Sequence, residues 1–166
     1  MTNKNQNSIM IVSIDEHETN IVIQNNGEIV QSSYLLIGTR TIDEAIAKFF
    51  REELGLLIGR RTAECVRTEM GSAIPQETKS EMRVRGRNLK ADALQDVIVT
   101  NEQISKAIAD VIRSVVNEVR ATIEQTSIEV KSVITERGIL LRGEGGKLRG
   151  LDRILLQETK LPITVA

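Results

Sequence analysis

The chain has 166 residues, 40% apolar and 27% charged, which is the profile of a folded protein of one domain or two closely joined subdomains. Its 22 Lys and Arg against 23 Asp and Glu leave a formal charge of -1, with no excess field for nucleic acid or an anionic membrane, and Tyr34, Phe49 and Phe50 are too few for base-stacking platforms. A single cysteine, Cys65, and a single histidine, His17, exclude a disulfide framework or a His/Cys metal cluster within one chain and fit a reducing cytoplasm.

Residues 1–8 are polar and Asn-rich and lack the apolar run of a signal peptide. No later stretch approaches the roughly 18 apolar residues of a membrane-spanning helix, so a soluble, cytoplasmic chain without membrane insertion is expected. Residues 9–14 and 19–24 are rich in Ile and Val, and Asn25-Asn26-Gly27 separates the second run from a third over 28–36. Asn-Gly between such runs signals a hairpin, because both residues tolerate positive φ, so the chain should open as an antiparallel meander.

Thr41 followed by Glu44 reads as a capping box, and Ile42, Ala45, Ile46, Phe49, Phe50 and Leu54 recur at helical spacing up to a stop at Gly55. A second helix is expected over 62–70 with Ala63, Val66 and Met70 inward, ending at Gly71-Ser72 and Pro75. Short strands follow near 81–87 and 95–100. The longest helix should start with Asn101 as its N-cap and carry Ile104, Ala107, Ile108, Val111, Ile112, Val115, Val119 and Ile123 on one broad face. Strands near 132–134 and 138–141, a glycine-rich turn at 143–146, a helix bearing Leu148, Leu151, Ile154 and Leu155, and a strand near 162–165 complete the order.

Taken alone, the turn Gly143-Glu144-Gly145-Gly146 has two readings: a tight strand-to-helix connection that needs glycine for its geometry, or a loop that lets backbone approach a nucleotide. Asp15, Glu16, His17 and Glu18 read as a solvated acidic turn rather than a metal cluster, because neighbouring side chains in a hairpin turn diverge. Cys65 has no histidine near it in sequence to act as a base and reads as an ordinary thiol.

Three stretches, taken together, resemble the second half of the MreB family of bacterial actin-like proteins. RGILLRGEGGKLRGLD over 137–152 is similar to that family's adenosine-contacting loop; GLLIGRRTAE over 55–64, continuing to Gly71-Ser72-Ala73, is similar to its GLLIGERTAE segment ending in GSA; and MRVRGR over 82–87 is similar to its EVRGRD strand. The resemblance implies an α/β fold: an actin-like (ribonuclease-H-like) subdomain from residues 8–55 and 128–166, with a small α+β subdomain inserted at 56–127. It implies that Glu64 and Arg67, one helical turn apart, with Gly143, Glu144 and Gly145, are what remains of an adenosine site, Arg67 standing where the family has Lys.

Departures from the family pattern cluster around that site. The family's second phosphate loop reads Asp-Ile-Gly-Gly-Gly-Thr-Thr, whereas this chain has Ser13-Ile14-Asp15-Glu16-His17-Glu18-Thr19; side chains now fill the space of the glycines and their charge opposes phosphate. Gly-Gly-Asp before the first helix has become Gly38-Thr39-Arg40, Glu144 stands at the middle glycine of the adenosine loop, and Lys147 replaces a small or apolar residue.

The resemblance therefore implies a cell-shape cytoskeletal filament protein or interaction module. Neither a catalytic residue nor a metal is expected, and no cofactor is required, with residual adenine-nucleotide binding left open. The chain is expected not to be an enzyme, because half of the family's site is absent. The expected partners are the chain itself or an intact MreB-like protein through longitudinal contacts. A nucleotide-binding half of a split ATPase and a truncated or engineered inactive domain are the alternatives.

Overall fold

The computed structural model describes residues 7–166, so most of the polar stretch over residues 1–8 lies outside the described residues. Strands β1 (Ser8–Ile14), β2 (Thr19–Asn25) and β3 (Glu28–Leu35) form the expected antiparallel meander. The turn from β2 to β3 places Asn26 at φ 53° and Gly27 at φ 84°, the left-handed backbone that Asn-Gly accommodates. Helix α1 (Thr39–Leu54) follows and stops at Gly55, whose amide donates to the Phe50 carbonyl.

Strand β4 (Leu56–Leu57) and helix α2 (Arg60–Met70) lead to β5 (Glu81–Asn88) and β6 (Ala93–Thr100), then to the long helix α3 (Asn101–Glu124). Helix α4 (Ile128–Arg137), strand β7 (Ile139–Arg142), a 3-10 turn over Glu144–Lys147, helix α5 (Leu151–Thr159) and strand β8 (Ile163–Val165) complete the chain. The larger sheet runs β3-β2-β1-β7-β8, with β7 parallel to both β1 and β8; β4-β5-β6 form a smaller antiparallel sheet. This is the mixed α/β, actin-like architecture that the resemblance implies.

The strand expected near residues 132–134 is helix α4 instead. Its Val-Ile-Thr run has β propensity, but Val130 and Ile134, four residues apart, are both buried, helix α4 packs on β1, and Ser127 Oγ accepts the Val130 amide as an N-cap. Tertiary burial of one helical stripe outweighs local preference here. Two caps also differ from expectation. Thr41 lies inside α1, where its Oγ1 accepts the Gly38 amide, and Gly38 is the N-cap. Thr100, not Asn101, caps α3, exchanging hydrogen bonds with Gln103 in both directions. Asn101 is buried and ties down the preceding loop, donating to the Thr78 carbonyl at 2.8 Å and accepting from the Ser80 amide at 3.1 Å.

Helix α3 packs against α1, α5, β2 and β3 as well as against α2 and β6, so it bridges the two sheets. One core runs through both layers, including Met10, Val12, Ile21, Ile46, Phe50, Leu56, Val66, Val99, Ile108 and Leu141. Helix α1 is its crosspiece, meeting α2, α3 and β4. No helix among the described residues is long and apolar enough to cross a membrane.

Candidate functional site

The parallel pairing of β1 with β7 sets the acidic turn and the glycine-rich turn side by side, with Ser13 in register with Arg142. The glycines press against the end of β1. Gly143 has φ +84°, and a Cβ there would lie 2.3 Å from the Ile14 carbonyl oxygen; a Cβ at Gly145 would lie 2.1 Å from Ile14 Cγ2. Close packing of two turns therefore already accounts for glycine at both positions, before any ligand is considered.

On the other side, α1 abuts the acidic turn. The amides of Thr39 and Arg40 donate to the carbonyls of Asp15 and Glu16, each at 3.0 Å, so the first turn of α1 is satisfied by the β1–β2 connection. Arg40 and Asp43 on α1, Arg60, Glu64 and Arg67 on α2, and Glu16 and Glu144 on the turns then line one cleft of about 260 Å³.

Of the residues expected at an adenosine site, Glu64, Arg67 and Glu144 line this cleft, while Gly143 and Gly145 lie behind it against Ile14. Arg67 does not pair with Glu64 along the helix. Its Nε donates to Asp43 Oδ1 at 2.6 Å, and both side chains are largely buried, 13% and 12% exposed. Asp43 was not singled out in the sequence, because an acid on the apolar side of a helix pairing with an arginine 24 positions later leaves no local pattern. Burial raises the Asp43 carboxyl above its ordinary range, outweighing the hydrogen bond and charge of Arg67, and the nearby Glu64 and Glu44 push it the same way.

The sign of the pH dependence follows. A carboxyl raised on folding contributes stability that is fully present below its unfolded value, near 3.8, and is lost as pH rises through the folded value. In urea unfolding across that range, the wild-type chain is therefore expected to lose stability relative to Asp43→Asn as pH rises. The opposite slope would mean that Arg67 dominates burial. Truncating Arg67 to Ala should cost about 2–3 kcal/mol at neutral pH, because Asp43 would keep its burial and lose its partner.

Cys65 is exposed on α2 and its Sγ donates to Glu69 Oε1 at 3.4 Å. Desolvation first, then Glu69 and Glu64, holds the thiol above its ordinary value, which keeps it protonated and unsuited to nucleophilic attack. In the acidic turn, Glu16 turns toward Arg60 at 2.5 Å and Glu18 accepts from Asn20 at 3.1 Å, so the two carboxylates diverge.

The comparisons with known proteins agree with this architecture. The family model described as MreB/Mbl protein matches residues 2–166. The cell shape-determining protein MreB of Escherichia coli K12 is 38% identical over 157 residues, covering 95% of this chain and 45% of that protein, so the chain spans less than half of the relative's length. The crystal structure of MreB5 of Spiroplasma citri bound to ADP superposes with a TM-score of 0.92 at 25% identity, over 97% of this chain and 49% of that one. MamK in a double helical filament shares the fold, with a TM-score of 0.77 at 15% identity, over 95% of this chain and 49% of that one.

These findings correct the expectation that the chain is not an enzyme. The match runs through the whole chain to a family of actin-like ATPases, while the chain covers under half of its relatives. Where it stops therefore carries no information about catalysis.

Proposed function

The chain belongs to the MreB/Mbl family, whose members are cell shape-determining cytoskeletal proteins, and on that premise we propose that it acts as a filament module, associating head to tail with further copies of itself or with an intact MreB-like protein. The observation that carries this reading is that surfaces suited to such a contact lie on both layers of one chain. Ile29, Val30, Tyr34 and Leu36 are exposed on and after the edge strand β3 of the larger sheet, and Leu94 and Ile98 are exposed on the edge strand β6 of the smaller one. Apolar side chains on exposed sheet edges are templates for association. Two different surfaces meeting produce a heterologous contact, which repeats into an open filament. MamK, a protein of the same fold, is seen in a double helical filament, which supports the same kind of assembly.

The cleft of Glu64, Arg67 and Glu144 is read as the adenosine-facing wall of a nucleotide site. The support is that α2 and the 3-10 turn, distant in sequence, present these side chains to one opening. Sedimentation velocity across a wide concentration range tests the self-association. The weight-average coefficient is expected to rise with concentration, and Ile98→Glu is expected to shift that rise to higher concentration. A coefficient that stays at the monomer value throughout would contradict self-assembly.

A further inference from the structure

Three charged side chains far apart in sequence, Glu16, Arg40 and Arg60, meet in space. None of the three is a sequence neighbour of another. In the structure, Glu16 Oε1 lies 2.5 Å from Arg60 Nη2 and 3.9 Å from Arg40 Nη2. One carboxylate thus faces two guanidinium groups, so the three side chains are complementary in charge but leave a net positive charge. Arg40 comes from the first turn of α1 and Arg60 is the first residue of α2, so the guanidinium groups converge from separate helices on one wall of the cleft.

The backbone around Glu16 is fixed while its side chain is not. The amides of Thr39 and Arg40 hold the carbonyls of Asp15 and Glu16, whereas the Glu16 side chain is 54% exposed and can swing away without disturbing them. An exposed carboxylate–guanidinium pair of this kind is weak and easily exchanged. We propose that Arg40 and Arg60 form an anion site, that Glu16 fills it from within the chain, and that a phosphoryl group entering the cleft takes the place of the carboxylate. This rests on reading the cleft as nucleotide-facing and adds to it a particular pair of phosphoryl contacts and a built-in competitor.

The chemistry favours the exchange in one direction. A phosphoryl group carries more charge than a carboxylate and offers oxygens spaced for guanidinium forks, so it is the stronger ligand for two arginines. Glu16 opposes it twice, by occupying the donors and by placing like charge beside the incoming group.

The test is calorimetric titration at low ionic strength with pyrophosphate, ADP and adenosine against the wild-type chain, Glu16→Gln, and Glu16→Gln combined with Arg40→Ala and Arg60→Ala. Glu16→Gln should tighten pyrophosphate and ADP by about tenfold and leave adenosine unchanged, because removing a competing charge at contact distance is worth about that factor. Deleting the two arginines should abolish the gain. Pyrophosphate affinity that is the same in wild type and Glu16→Gln, or a gain that survives loss of both arginines, would overturn the proposal. Failure of adenosine to bind any variant would instead count against the cleft as an adenosine wall, while the pyrophosphate arm would still decide the anion site. The altered side chains are surface groups, and unchanged thermal midpoints would confirm that each variant is folded.

Discussion

Gly145→Ala is expected to destabilise the chain by roughly 2–3 kcal/mol in the absence of any ligand, the usual cost of forcing an extra carbon into a packed interior. The added Cβ would sit 2.1 Å from Ile14 Cγ2 and 2.7 Å from Ile14 Cβ, and Ile14 is only 3% exposed, so the neighbour has little room to yield. A β-branched side chain on a strand is also stiff at χ1. The clash is with a side chain, so it should be relieved from the other side. In an Ile14→Ala background the same Gly145→Ala change should cost markedly less, giving a coupling of about 1 kcal/mol or more in a double-mutant cycle. Gly143→Ala provides the contrast. Its clash is with the Ile14 carbonyl oxygen at 2.3 Å and its φ is +84°, so Ile14→Ala should not rescue it. If these glycines served only to admit a ligand, Gly143→Ala and Gly145→Ala would each unfold at the urea concentration of their own parent, wild type or Ile14→Ala.

Phe50→Ala should have the largest effect of any single truncation considered, about 3–5 kcal/mol. Phe50 is 0% exposed on α1 and meets Phe49 edge to face with ring centroids 5.5 Å apart. Helix α1 contacts α2, α3 and β4, so the void would open where the two layers join. Against the roughly 5–15 kcal/mol that holds a typical domain together, a loss of this size leaves a large unfolded population near physiological temperature. The urea midpoint should fall with little change in slope, and Phe49→Ala, at a half-buried neighbouring position, should cost clearly less. A Phe50 variant as stable as wild type would mean that the two layers do not share a core at α1.

Much of this arrangement was legible in the residues, and the parts that were not share a physical cause. Asn25-Asn26-Gly27 announced its hairpin because positive φ is a local demand, and the apolar stripe of α3 announced a helix because burial repeats with the helical period. Helix α4 was hidden: only Val130 and Ile134 are buried on it, and its Val-Ile-Thr run has the composition of a strand. Strand β4 is two residues long, too short to carry a period. The cleft was visible on one side only. Glu64, Arg67 and the glycine-rich turn carried a motif, but Asp43 and the convergence of Glu16, Arg40 and Arg60 depend on how α1 and α2 pack. The expectation of a non-enzyme drew on the extent of the chain and on the acidic turn at residues 15–18, and the match to a family of actin-like ATPases overturned it.

The measurement that bears most directly on the filament reading is pelleting of an intact MreB-like protein with increasing amounts of this chain, with and without ATP. A module that presents longitudinal surfaces should co-sediment with the filaments and change the pelleted fraction of the intact protein in a dose-dependent way. Ile98→Glu should weaken both effects. Pelleting that is unchanged at a large excess of the chain, with the chain itself left in the supernatant, would contradict the account.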